Sequence, residues 1–157
     1  MPTQKLKNLL DESNVKYVTI KHSKAYTAQE IAASAHIKGD EFAKTVILKI
    51  DGIMAMAVLP ASYKIDFDEF DHLGIGRNVR LANEMEFKDK FPGCEVGAMP
   101  PFGNLYYMEV YAAESLIKDK VISFNSGTHM ELIKMRTEDF LRLVEPNIFK
   151  FTRKNML

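Results

Sequence analysis

Residues 42–60 read FAKTVILKIDGIMAMAVLP and decide the fold. Two runs rich in apolar and β-forming residues, FAKTVILKI (42–50) and IMAMAVL (53–59), flank Asp51-Gly52. An Asp-Gly pair between two such runs is typical of a β-hairpin, because its two-residue turn needs positive φ at both central positions. We therefore predict a hairpin over residues 42–59.

Helices and further strands are predicted on both sides of this hairpin. Residues 3–13 form an amphipathic helix, and residues 16–21 are rich in β-formers. Thr27, Asp66, Asn83 and Thr137 are predicted helix caps, each in a pattern that begins a helix. Further strands are predicted over 105–111, 121–125 and 130–135. Strands grouped in hairpins, with helices before, between and after them, predict an α+β fold in one domain over residues 1–157.

Composition excludes several classes of protein. The chain has 157 residues, 46% of them hydrophobic, and its longest apolar run (54–60) is too short to cross a membrane. One cysteine, Cys94, allows no intrachain disulfide, so we expect a cytoplasmic protein without a membrane partner. The four histidines are scattered and form no metal-ligand pair, so neither a metal nor a cofactor is expected.

Charge is balanced, with 21 basic and 21 acidic residues, so no global field attracts nucleic acid, and only a local basic patch could do so. Residues 149–154 (FKFTRK) are basic and aromatic, and we interpret them as a frayed terminus. Asp66, Asp68, Glu69 and Asp71 are interpreted as the acidic first turn of a helix.

Three segments could carry chemistry, and each has a structural alternative. Lys44 begins an apolar strand, where its ammonium could face a cleft or merely extend into water. Residues 125–129 (NSGTH) could line a site or form a plain turn. Residues 94–103 (CEVGAMPPFG) could offer backbone N–H groups to a ligand or serve as a rigid connector.

Taken in order, AKTVILKIDG, VLPA, GAMPPFG and FNSGTHMELI resemble the YbaK/EbsC family of aminoacyl-tRNA deacylases, related to the editing domain of bacterial prolyl-tRNA synthetases. The resemblance covers about residues 15–144. It implies an α+β domain with a mixed, partly barrel-like sheet surrounded by helices. It also implies metal-independent hydrolysis of the ester that joins a wrong amino acid to the 3′-terminal adenosine of tRNA.

The resemblance also assigns site residues. The family's functional lysine falls on Lys44, its Gly-x-x-x-Pro loop on residues 97–101, and a polar position that is aspartate in one branch falls on His129. A tyrosine of some members is replaced by Ile20, with Tyr26 only loosely nearby. We thus expect Lys44, Gly97 and His129 to be catalytic. The expected substrate-binding residues are Ala98, Met99, Pro101, Phe102, Gly103, Asn125 and Gly127.

The predicted function is therefore a hydrolase that acts in trans on the 3′ end of mischarged aminoacyl-tRNA, most simply Ala-tRNA(Pro) or a tRNA carrying another small amino acid. A prolyl-tRNA synthetase is a possible partner. The alternative is a non-catalytic module that binds tRNA or a synthetase; retention of Lys44 and of the glycine–proline loop favours the enzyme.

Overall fold

The predicted hairpin is formed by β2 (Ala43–Ile50) and β3 (Ile53–Pro60) in the computed structural model, which describes residues 2–21 and 41–154. The strands pair antiparallel along their whole length. Asp51 (φ 49°) and Gly52 (φ 87°) both have positive φ, as a two-residue turn of this kind requires. The hairpin prediction is confirmed.

This hairpin is the centre of a five-stranded sheet, in the order β5-β2-β3-β6-β9. The other three strands are β5 (Val79–Leu81), β6 (Glu109–Ala113) and β9 (Asn147–Phe149), and β5 and β9 form the edges. The β3–β6 and β6–β9 pairs are parallel, whereas the pairs of β2 are antiparallel, so the sheet is mixed. Residues 55–60 of β3 are all buried, as expected of a strand covered on both faces.

A second, antiparallel sheet has the order β1-β8-β7. Its strands are β1 (Tyr17–Lys21), β7 (Val121–Asn125) and β8 (Glu131–Arg136). The two sheets meet where Phe42 forms a parallel bridge with Ser123, and the Ser123 N–H donates to the Glu41 carbonyl at 2.9 Å. This junction makes the arrangement partly barrel-like, and the predicted α+β class is confirmed.

The helices cover the sheets. They are α1 (Pro2–Glu12), α2 (Phe67–His72), α3 (Glu84–Phe87), α4 (Glu114–Ile117) and α5 (Thr137–Val144). Asp66 caps α2 and Asn83 caps α3, as predicted, and Asp68 and Glu69 lie in the first turn of α2. The helix predicted to begin at Thr27 lies outside the described residues, and so does Tyr26.

Two predicted elements are wrong in detail. Thr137 is the first residue of α5 rather than its cap, and its hydroxyl donates instead to the Asp119 carbonyl at 2.6 Å. The strand predicted over 105–111 begins only at Glu109, because a 3₁₀ turn (Gly103–Leu105) and the positive φ of Tyr107 (57°) reverse the chain before it.

The basic C-terminal segment is not frayed. β10 (Thr152–Lys154) pairs antiparallel with β4 (Tyr63–Ile65). Phe151 is fully buried, with its ring centroid 5.1 Å from that of Phe70, and its carbonyl accepts from the Asp66 N–H at 2.8 Å. The sequence-based interpretation was wrong because it weighed the charges of this segment over the apolar anchor among them.

Phe151→Ala is expected to lower the free energy of unfolding by about 3–5 kcal/mol, because it leaves a cavity in the core. Ile148→Ala is the comparison: Ile148 lies three residues earlier in β9 and is 43% exposed, so this change should cost less than about 1 kcal/mol. Urea denaturation of both variants measures the difference. Equal, small losses in both would mean that the segment does not anchor the fold.

Candidate functional site

Lys44 lies at the junction of the two sheets. It is the second residue of β2, opposite Leu59 of β3, and its side chain is half-buried. Burial lowers the pKa of its ammonium group. No carboxylate among the described residues forms an ion pair with it. A partly desolvated cation without a counter-ion is suited to an anionic ligand.

Asn125, the last residue of β7, is brought towards Lys44 by the same junction. The bridge is a single parallel pair, Phe42 with Ser123, and Lys44 and Asn125 each lie two residues beyond it on their strands. By strand alternation their side chains lie on the same sides of β2 and β7 as those of Phe42 and Ser123. Asn125 is only 6% exposed, and its Oδ1 accepts no hydrogen bond from any described residue. A buried amide oxygen in this state has capacity for a ligand.

The glycine–proline loop begins with a tight turn at residues 95–98. The Ala98 N–H donates to the Glu95 carbonyl at 3.0 Å, and Gly97, the third residue of the turn, has φ +83°. This is the geometry of a type II turn, which requires a positive φ at that position and hence favours glycine. The predicted glycine is therefore needed by the backbone itself.

This turn is joined to the segment that follows Asn125. The Glu95 N–H donates to the Gly127 carbonyl, and the Gly127 N–H donates to the Ala98 carbonyl, each at 2.9 Å. The Thr128 hydroxyl donates to Glu95 Oε1 at 2.5 Å. Two segments that are separate in sequence therefore form one unit, which begins beside Asn125.

His129 holds the top of the turn. Its Nε2 lies 2.6 Å from the Val96 carbonyl oxygen, which can only accept, so Nε2 carries the proton and donates. A Cβ added to Gly97 would lie 3.4 Å from His129 Cε1. His129 is 3% exposed, so this geometry suits it to positioning the turn. Its predicted catalytic role stays a prediction.

The tip of the turn offers donors to solvent. Val96 and Gly97 are exposed, and their N–H groups donate to no acceptor among the described residues. Two adjacent backbone donors on a rigid turn can stabilise negative charge that develops on a carbonyl oxygen.

The rest of the predicted loop packs inward. Phe102 is fully buried between Phe124 and Phe140, with ring centroids 5.6 and 5.7 Å away. A Cβ on Gly103 would collide with the Met108 carbonyl oxygen. Ala98, Met99 and Pro101 are also buried. The family resemblance predicts all five as substrate-binding residues. Phe102 and Gly103 lie in the core, and the substrate-binding role of the five stays a prediction.

Glu95 is a residue of the site that the sequence did not reveal. Its carboxylate joins the turn to Thr128, and it also lies 3.4 Å from the His129 N–H. No local pattern distinguishes such a glutamate from a surface one. Cys94, beside it, is half-buried; burial raises the pKa of the thiol, which disfavours the reactive thiolate.

Residues 2–21 and 41–154 contain neither a metal-ligand cluster nor a membrane-spanning helix. In this part of the chain, no three His, Cys, Asp or Glu side chains are grouped so as to hold a metal ion. Its helices are also too short or too polar to cross a membrane.

Comparison with known proteins identifies the class. The family model of the aminoacyl-tRNA editing domain matches residues 22–143, so the chain belongs to this family. A relative from Escherichia coli (strain K12), the multifunctional Ser/Thr-tRNA deacylase ProXp-y, is 28% identical over 96% of this chain and 92% of its own. A solved structure described as a candidate trans-editing enzyme for prolyl-tRNA synthetase superposes with a TM-score of 0.80 at 18% identity, covering 97% of each chain.

A second solved structure, of a hypothetical protein, has a TM-score of 0.83 at 18% identity and covers 95% of this chain and 99% of its own. These likenesses support the fold. With the family match, they confirm the predicted family and the predicted enzyme class, an aminoacyl-tRNA deacylase.

Gly97→Ala is expected to reduce deacylation of mischarged tRNA at least about tenfold, because a side chain at φ +83° strains the turn and adds a carbon against His129. Gly74→Ala is the matched control, since Gly74 has φ +72° but nothing within 4 Å of an added Cβ. Both variants should lose about 1 kcal/mol of stability. Equal activity in the two would show that the turn geometry does not matter for the reaction.

Proposed function

We propose that this protein acts in trans, as a separate chain, and hydrolyses the ester between a small amino acid and the 3′-terminal adenosine of tRNA. The observation that carries the proposal is Lys44: a half-buried lysine without an acidic partner among the described residues, two residues beyond the bridge that joins β2 to the strand ending at Asn125. We propose further that residues 1–157 function as a single domain. The protein would act in the cytoplasm, with a prolyl-tRNA synthetase as its partner.

The proposed chemistry needs no strong nucleophile, because an aminoacyl ester is already activated. Lys44 holds the terminal phosphate or the ribose as a point charge. The N–H groups of Val96 and Gly97 stabilise the oxyanion while a water molecule, oriented by the free 2′-hydroxyl of the adenosine, adds to the carbonyl carbon. The bond from this carbon to the 3′ oxygen then breaks, a proton of the water passes to that oxygen, and the products are the free amino acid and tRNA with its 3′-hydroxyl. His129 and Glu95 keep the turn in shape.

We propose a small amino acid as the substrate. Ala98 and Met99, which follow the tip of the turn, are apolar and buried, so their side chains offer the substrate no charge. The family resemblance favours alanine on tRNA(Pro). The relative's name and the buried Asn125 Oδ1 favour serine or threonine, whose hydroxyl would supply the missing donor.

A binding module without catalysis is the other class of function. The same Lys44 could hold the end of tRNA without hydrolysis. The unbonded N–H groups of Val96 and Gly97 favour the enzyme, since such donors contribute most to an oxyanion that forms only during reaction.

Lys44→Ala is expected to lower kcat/KM for mischarged tRNA by about a hundredfold, the loss of one charge-assisted contact to the substrate. Single-turnover deacylation of Ala-tRNA(Pro), Ser-tRNA and Thr-tRNA measures it.

Lys49→Ala is the matched control, because Lys49 lies in the same strand but forms an ion pair with Glu86 at 2.6 Å. Both variants must first be shown to be folded. Wild-type rates in Lys44→Ala would refute the role of Lys44. A wild-type protein that binds tRNA but hydrolyses none of the three substrates would establish the binding module instead.

Asn125→Ala tests the amino acid. If Oδ1 accepts the side-chain hydroxyl of the substrate, kcat/KM for Ser-tRNA should fall about tenfold while that for Ala-tRNA changes little. The ratio of the two rates, measured with one enzyme preparation, is insensitive to partial unfolding. An equal fall for both substrates would assign Asn125 to the reacting ester instead.

A further inference from the structure

A shallow groove of about 410 Å³ lies beside the β4–β10 ladder. Its lining includes Tyr63 of β4, Ser115 and Lys118 near α4, and Lys150, Arg153 and Lys154 of the C-terminal segment. Lys64 stands directly opposite Arg153 in the ladder, so the two side chains share a face. We call the five cations the basic strip: Lys64, Lys118, Lys150, Arg153 and Lys154.

The basic strip has no acidic partner within ion-pair distance in the part of the chain that the structure describes. None of its cations forms an ion pair with a described carboxylate, and Glu114 is the one acidic residue that lines the groove. The chain as a whole has no net charge. The positive charge of the strip is therefore a local feature, and local concentration of charge is what attracts a polyanion.

The backbone under the strip is held firmly. Phe151 fixes β10 in the core, and the Asp66 N–H bonds its carbonyl. Tyr63 is half-buried and offers part of an aromatic face, and the buried Ser115 Oγ has no described partner. Cations on a rigid edge, interleaved with an aromatic ring and a hydroxyl, are suited to a nucleic-acid backbone.

The strip begins close to Lys44. The Ala61 N–H donates to the Phe42 carbonyl at 2.8 Å, so the chain turns from β3 into β4 at the junction itself. Leu59, opposite Lys44, precedes Tyr63 by four residues, at most about 14 Å of chain. Successive phosphates of one duplex strand advance by about 3.4 Å along the helix axis. The strip is thus within reach of the phosphates that follow an adenosine bound at Lys44.

A larger groove of about 780 Å³ is less suited to this role. It lies at Gly52, the opposite end of the hairpin from Lys44, about 20 Å away along β2. Its Lys49 is paired with Glu86, and Asp89 lines it as well.

We propose that the basic strip binds the phosphate backbone of the acceptor arm of the substrate tRNA while the 3′ adenosine lies at Lys44. The inference rests on the proposed function for the identity of the RNA. The strip supplies affinity and orientation, and the Gly97 turn supplies the chemistry.

The test is binding of uncharged tRNA, followed by fluorescence anisotropy over a range of salt concentrations. The variant is Lys64→Ala with Arg153→Ala, which removes two exposed cations without touching the core. The control is Lys88→Ala with Lys90→Ala, which removes the same charge from the 3₁₀ turn beside the larger groove. The strip variant should bind about tenfold more weakly at low salt, and its slope of log K against log salt should be shallower by about two. The control should match wild type.

Unchanged affinity and slope in the strip variant would overturn the inference, and so would an equal loss in the control. Strip-dependent binding to anionic phospholipid vesicles, with none to tRNA, would overturn it too. Deacylation separates this inference from the proposed function. If the wild type binds tRNA through the strip but hydrolyses no ester, the strip's role in tRNA binding is supported and the hydrolase activity is refuted. If the wild type hydrolyses mischarged tRNA and the strip variant does so equally well at low substrate concentration, the hydrolase activity is supported and the strip's role is refuted.

Discussion

The parallel bridge between Phe42 and Ser123 is the constraint on which the site depends. It joins the residue before β2 to β7, and so connects two sheets that share no strand. Without it, Lys44 would lie at the end of one sheet and Asn125 at the end of another. Desolvation of a lysine is costly, and pairing with β3 on one side and the bridge at Phe42 next to it hold the backbone of Lys44 in this position. The half-buried ammonium of Lys44 is thus a consequence of topology.

The turn at Gly97 shows how polar residues can shape a backbone site without reacting in it. Glu95 and His129 both bond to main-chain groups or to Thr128, and together they fix the peptide between Val96 and Gly97. A type II turn leaves this peptide exposed, and the bonds around it restrict its rotation. Donors held in this way lose little freedom when a substrate carbonyl arrives, which is how a preorganised site differs from a flexible loop.

Local signals in the sequence predicted the hairpin and the caps at Asp66 and Asn83, because each depends on the φ preferences or hydrogen bonds of a few adjacent residues. Contacts between distant segments were not predictable in this way. The proximity of Lys44 and Asn125 follows from a bridge between strands some 80 residues apart, and one sequence carries no record of that pairing. The burial of Phe102 was not predictable for a related reason: composition identifies an apolar loop but not which of its side chains enter the core.

The C-terminal segment extends this argument to charge. A net charge of zero excluded a global field for nucleic acid but not a local basic patch, because the sum says nothing about where the charges lie. Acidic side chains such as Glu86, Glu131 and Glu138 form ion pairs with cations elsewhere in the chain. Arg153 and the other cations of the basic strip, in contrast, form no ion pair with a described carboxylate. A protein that must release its RNA after each turnover gains from this arrangement, because a confined basic surface orients the substrate without the tight, unspecific binding of a strongly basic chain.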